Sequence, residues 1–180
     1  ALYTRALQAY NNKKYAEAAR LADAVLVVDP EFSEAKQLKE LSSIEVKAQQ
    51  SYEAAMKAVT AQNFEEALRQ LKAISPRSML YMNTQNMRAQ VQAKLIDQLS
   101  KEARKYLDEN DISTAESIAT RIGAIDPDAP QLASLRTEIQ SIQNQKQANK
   151  ASVASRRRRI AARNKHKRKS QAQPKPKPKP

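Results

Sequence analysis

One short text is written three times in this chain. "YAEAARLADAVLVVDP" (Tyr15 to Pro30) is echoed by "FEEALRQLKAISP" from Phe64 and by "ISTAESIATRIGAIDP" from Ile112. Aligning Tyr15, Phe64 and Ile112 gives offsets of 49 and 48 residues, a spacing that suits a helical repeat. Three residues after each anchor stands Ala18, Ala67 or Ala115; nine before it stands Ala6, Ala55 or Ala103. How closely two helices approach depends on the side chains between them, so matched alanines on successive helices predict tightly packed pairs. The larger anchor fills the gap near the turn, which "NNKK", "QN" or "ENDI" supplies. Pro30 and Pro127 lie fifteen residues after their anchors and Pro76 only twelve after Phe64. Each marks a helix stop, because proline lacks the amide hydrogen and clashes with the preceding turn.

Composition agrees with an all-α chain. Gly123 is the single glycine among 180 residues and aromatic residues make up 4%, which leaves little with which to build strands and tight hairpins. Ala, Gln, Leu, Lys, Arg and Glu dominate, and all are good helix formers. Between Pro30 and the Asn63 turn, apolar residues continue at helical spacing through Leu38, Leu41, Ala48, Tyr52, Ala55 and Val59. Between Pro76 and the Asn110 turn they run through Met87, Val91, Leu95, Leu99, Ala103 and Leu107. Each stretch predicts one helix of about 30 residues, roughly 45 Å long. The alternative is two shorter helices bent near Ser42–Ser43 or Asn83–Thr84. After Pro130 the pattern Leu132, Leu135, Ile139 and Ile142 predicts a last helix that caps the array and then loses its apolar members.

Several function classes are closed by inventory. There is no cysteine and one histidine, His166, so thiolate sites and multi-histidine metal or catalytic sites cannot be built. A single glycine cannot make a phosphate-cradling loop, and no cofactor is expected. The acidic groups Glu65–Glu66 and Asp108–Glu109–Asp111 flank helix starts, where negative charge offsets the helix dipole; capping accounts for them better than acid–base chemistry. No run approaches the ~18 apolar residues of a membrane helix. The chain opens at Ala1 already inside a helical pattern, which reads as a piece of something longer.

Charge divides the chain at residue 150. Residues 1–150 carry 20 Lys and Arg against 19 Asp and Glu, a net of +1, while 151–180 carry 12 Lys and Arg and no acid. A helical repeat body over 1–150 and a flexible, disordered polybasic tail over 151–180 follow. The tail concentrates Arg156, Arg157, Arg158, Arg159, Arg163, Lys165, Lys167, Arg168 and Lys169, the candidate polyanion-binding residues. An isolated helix there is marginal because like charges repel, and a polyanion would relieve the repulsion. The "PKPKPKP" end suits extended polyproline II. Such a segment suits nucleic-acid phosphates or an acidic protein face; contact with a membrane would be confined to its surface. Without tail aromatics, base stacking is absent.

The repeated text resembles the tetratricopeptide repeat (TPR) family: a small residue in helix A, an aromatic opening helix B, Ala three later and a closing Asp-Pro. The resemblance is strongest in "ALYTRALQAYNNKKYAEAARLADAVLVVDP". It departs from the family pattern in lacking the early Trp, in writing Ala for the small Gly, and in a period about fourteen residues over the usual 34. The resemblance implies about three antiparallel helix pairs and a non-enzymatic scaffold, placed by analogy in a bacterial cytoplasmic assembly. It implies a ligand-facing helix A surface of Tyr3, Leu7, Tyr10, Asn11, Tyr52, Met56 and Thr60, binding a partner's peptide or helix. The same tyrosines would serve as well to pack neighbouring helices. Pairing of the long helices between two copies, as a homodimer, stays open. So does the reading in which the arginine-rich tail binds RNA or DNA and the helices only position it.

Overall fold

The computed structural model describes residues 1–171, with side chains through Asn164, and among these residues the regular elements are all α-helices. In order they are α1 (Leu2–Asn11), α2 (Tyr15–Val28), α3 (Ser33–Thr60), α4 (Phe64–Lys72), α5 (Leu80–Asp108), α6 (Ile112–Ile125) and α7 (Pro130–Gln171). Contacts gather into two compact units, Ala1–Leu99 and the residues from Ser100 onward; α5 gives Leu80–Leu99 to the first and Ser100–Asp108 to the second. Both long connecting stretches are continuous helices, α3 of 28 residues and α5 of 29. At the two suspected bends Ser43 Oγ donates to the Lys39 carbonyl at 2.7 Å and Thr84 Oγ1 to that of Tyr81 at 2.9 Å, each on its own helix. Such back-bonding can bend a helix, yet α3 and α5 both run through these positions unbroken.

The repeated alanines are among the most deeply buried residues of each pair. Ala6, Ala18, Ala55, Ala67, Ala103 and Ala115 all have no exposed surface. In the first unit α1 packs on α2, α2 on α3 and α3 on α4. Its α1–α2–α3 core joins Ala6, Ala9, Ala18, Leu21, Ala22 and Leu38, with Tyr3 and Tyr10 against its edge. In the second unit Leu107, Ile118, Ile122, Leu132, Leu135 and Ile139 are buried, and α7 packs on α6.

A single turn geometry, used three times, sets the register of these pairs. Lys13, Gln62 and Asn110 lie two residues before the anchors, and each is left-handed, with φ of 59°, 58° and 65°. Their amides donate to the carbonyls of Tyr10, Val59 and Leu107, and the next amides (Lys14, Asn63, Asp111) reach back to Ala9, Ala58 and Tyr106. That is the Schellman arrangement, which satisfies the last free carbonyls of a helix. The residue receiving the chain from this turn is also the N-cap of the next helix. Asn63 Oδ1 accepts from the Glu66 amide and Asp111 Oδ1 from the Thr114 amide, both at 3.1 Å; Lys14 makes no such bond. The cap carbonyls then accept from Ala18, Ala67 and Ala115, so the turn delivers each repeated alanine to the same place in the first helical turn.

The closing turns differ between copies of the repeat in a way the spacing foreshadowed. Asp29 and Asp126 are both extended, as a residue before proline must be. Their Oδ1 atoms accept from the amides of Glu31 and Asp128 at 3.2 and 3.0 Å. The second copy has no Asp-Pro, and α4 stops after 9 residues. The loop that follows is held from α3 by Glu45, a carboxylate only 2% exposed. Its Oε2 accepts from Ser78 Oγ and its Oε1 from the Met79 amide, both at 2.8 Å. Arg77 adds an exposed ion pair to Glu40 at 2.5 Å. Glu45 also lies beside Tyr10 and Tyr15: burial pushes both phenols above their usual value, and its charge adds to the effect.

The polybasic stretch begins inside a helix. Helix α7 crosses the charge boundary at residue 150 without interruption and runs to Gln171. No Gly or Pro stands between Pro130 and Pro174, and Ala, Gln, Arg and Lys prevail there; local propensity, not packing, carries the helix across the charge boundary. The proline–lysine end lies outside the described residues.

Three consequences can be measured. Replacing Gln62 by Gly removes a left-handed strain of about 1–2 kcal/mol, less the entropy glycine adds to the unfolded chain. Chemical denaturation should show Gln62→Gly more stable by roughly 0.5–1 kcal/mol, and Asn110→Gly nearly neutral because Asn tolerates this geometry. Ala67→Leu should cost about 1–3 kcal/mol by overpacking, whereas Leu at the exposed Ala16 changes little. Glu45→Ala strands the buried Ser78 hydroxyl and the part-buried Met79 amide and should cost about 1–3 kcal/mol; Glu45→Gln, which can still accept from the Met79 amide, should cost clearly less.

Candidate functional site

The resemblance-derived surface falls on two adjoining helices of the first unit. Tyr3, Leu7 and Asn11 stand four residues apart on α1; Tyr52, Met56 and Thr60 occupy the same register on α3, 49 residues later. A four-residue spacing keeps side chains on one helix face, and α1 touches α3. Leu7 and Met56 are exposed at 37% and 39%, more than an apolar side chain keeps when it serves the core. Asn11 and Thr60 are exposed as well, although the Thr60 hydroxyl donates to the Met56 carbonyl of its own helix at 3.0 Å. Tyr52 is half-buried.

Tyr3 and Tyr10 are also half-buried, and both rings have partners. Tyr3 meets Phe32 edge-on with centroids 4.9 Å apart, and Tyr10 meets Tyr15 in the same way at 5.3 Å. Such T-shaped pairs favour a fixed ring position. These two tyrosines brace α1 against α2 and the start of α3 and present only their remaining edges. Leu7 and Met56 are the freer apolar groups of the face.

The third copy of the register carries different chemistry. Counting on from Tyr52, Met56 and Thr60 by 48 residues reaches Ser100, Arg104 and Asp108 on α5. Ser100 is buried, while Arg104 and Asp108 line a cleft of about 610 Å³ with Leu107 of α5 and Ser134, Thr137, Glu138, Ser141 and Ile142 of α7. Arg104 holds Glu138 through Nη2 at 3.2 Å and Ser134 Oγ at 3.3 Å. Sequence reasoning named neither Ser100 nor Arg104, because it looked for aromatic and apolar anchors and this copy carries a hydroxyl and a guanidinium in their place. The shared offset was the signal that would have found them.

The acidic groups behave as caps and surface partners. Asp111 accepts from both the amide and the hydroxyl of Thr114, and these bonds hold its carboxyl below the usual carboxylate range. Glu66 is held at about 2, first by its hydrogen bonds from Arg69 at 2.6 and 2.7 Å and then by Gln70 at 2.8 Å. Among the described residues no group of three or more His, Cys, Asp or Glu is placed to hold a metal.

Of the candidate cationic residues, Arg156, Arg157, Arg158, Arg159 and Arg163 are all exposed on α7. The side chains of Lys165, Lys167, Arg168 and Lys169 lie outside the described residues. No helix among the described residues is long and apolar enough to cross a membrane.

Residues 1–50 match the family model described as the Fis1 C-terminal tetratricopeptide repeat, a stretch that covers α1, α2 and about the first two thirds of α3. Neither the curated proteins nor the solved structures give a match to this chain. The matched segment, the alanine register and the triplicate Schellman turn together make the chain a TPR-like helical repeat protein.

Proposed function

We propose that this chain is a non-enzymatic interaction module that holds a partner's peptide or helix on the α1–α3 face, and that its basic segment adds a salt-sensitive contact with a polyanion or an acidic protein. The observation that carries the first part is the exposure of Leu7 and Met56 at the same register position of two adjoining helices, flanked by tyrosine edges. Large apolar groups that stay open to water, rimmed by polar Asn11 and Thr60, suit the centre of a protein interface. The match of residues 1–50 to a tetratricopeptide-repeat family supports the same reading.

The runner-up reading makes the basic segment the working part, with the helices positioning it on nucleic acid. What favours it is the exposure of the arginines on a continuous helix.

Affinity capture at low and high salt separates the two contacts. Proteins retained at both salt concentrations by the native chain should be lost, by at least ~30-fold, with Leu7→Asp/Met56→Asp, while circular dichroism shows the fold unchanged. Equal retention by that double variant would refute the α1–α3 face.

A further inference from the structure

The outer part of α7 is a helix without a body to pack on. Its last contacts back to the second unit, among the described residues, come from Gln143 to Glu116 at 2.5 Å and from Lys146 to the Asn110 carbonyl at 3.5 Å. From Gln147 to Asn164 every residue is exposed, a stretch of about 27 Å at 1.5 Å per residue. No Asp or Glu follows Glu138, so nothing on this segment neutralises its own cations.

The disposition of charge narrows the choice of partner. Arg156 to Arg159 are four consecutive residues, and at 100° per residue they point to all sides of the helix. Arg163 and Lys150 add to them. A membrane surface or an acidic protein face meets a helix from one side, and a membrane-lying helix needs an apolar face opposite its cations. Here the large apolar groups are only Val153 and Ile160. A ligand that matches cations on every side has to surround the helix with anions. Duplex DNA comes nearest to that: its major groove is about 12 Å wide, an α-helix with side chains is about 10–12 Å across, and phosphates line both rims, so two opposite sides of a seated helix meet anions. A-form RNA does not, because its major groove is too narrow and deep for a helix.

We infer that the exposed outer segment of α7 is a basic helix that seats in the major groove of B-form DNA and contacts phosphates on both strands, with affinity set by charge more than by base sequence. This rests on the polyanion contact proposed above and gives it a definite partner. Each phosphate neutralised adds about 0.9 to the steepness with which affinity falls as salt rises.

The test uses the whole chain and four anions: a 24-base-pair DNA duplex, the RNA duplex of the same sequence, polyglutamate, and phosphatidylserine-containing vesicles. Fluorescence anisotropy or co-sedimentation between 50 and 200 mM salt should rank DNA first by at least about 10-fold. Replacing Arg156, Arg157, Arg158 and Arg159 by Gln, a good helix former, should weaken DNA binding about 100-fold at 50 mM salt and lower the salt slope by about 3–4. Circular dichroism should confirm that the helices persist. RNA, polyglutamate or vesicles binding as tightly as DNA would overturn the inference and leave the general polyanion contact standing. Failure of all four anions to bind would remove both. DNA affinity unchanged in the fourfold variant would place the contact elsewhere and refute the assignment to α7.

Discussion

Six alanines carry this fold. Two helices come together only as far as the side chains between them permit, and here Ala6, Ala18, Ala55, Ala67, Ala103 and Ala115 recur at matched positions of successive helices, none with any exposed surface. With so small a side chain at each crossing, much of the cohesion falls to residues that flank it, such as Leu21, Leu38, Leu71 and Ile122, all buried. The left-handed turn residues follow from the same constraint. A three-residue link must reverse the chain and set the next alanine opposite the last, and one left-handed residue per turn does so. That geometry is strained at Lys13 and Gln62, and the matched alanine packing is what holds it in place.

Where the repeat pattern lapses, a buried polar group takes over. The second copy lacks Asp-Pro and loses several residues of its B helix, so the loop before α5 has no aspartate of its own to order it. Glu45 supplies that order from α3, gathering a hydroxyl and an amide. A buried carboxylate is tolerated when donors meet it, and removing either side leaves a desolvated group alone. It is a local repair on one helix pair.

Much of this was legible before any coordinates. The alanine register, the long unbroken α3 and α5 and the Asp-Pro ends follow from spacing and from the stop signals of proline. The Schellman turns were hidden because Lys13 and Gln62 are neither Gly nor Asn, the residues that usually announce a left-handed position. Glu45 was hidden because its partners lie 33 and 34 residues away in sequence. On the candidate face, the α1 and α3 positions could be named from the family resemblance. The share of Tyr3 and Tyr10 given to ring packing could not, since Phe32 reaches Tyr3 only once α3 is docked. At α7 the helix runs past the charge boundary, because net charge governs what a segment meets in solution and propensity governs whether it coils. The two need not change at the same residue.

The account therefore joins two surfaces of different chemistry on one chain: a modest apolar face on α1 and α3, and a cationic helix that emerges from the second unit. Both depend on the helix pairs holding the register that the alanines dictate, since a shift of one residue would turn Leu7 and Met56 by about 100° and bury or scatter them. Methyl-labelled alanine and nuclear Overhauser spectroscopy test that register directly. The account predicts cross-peaks joining Ala6 to Ala18, Ala55 to Ala67 and Ala103 to Ala115. Finding those methyls instead paired with residues one position away, in any of the three pairs, would contradict it.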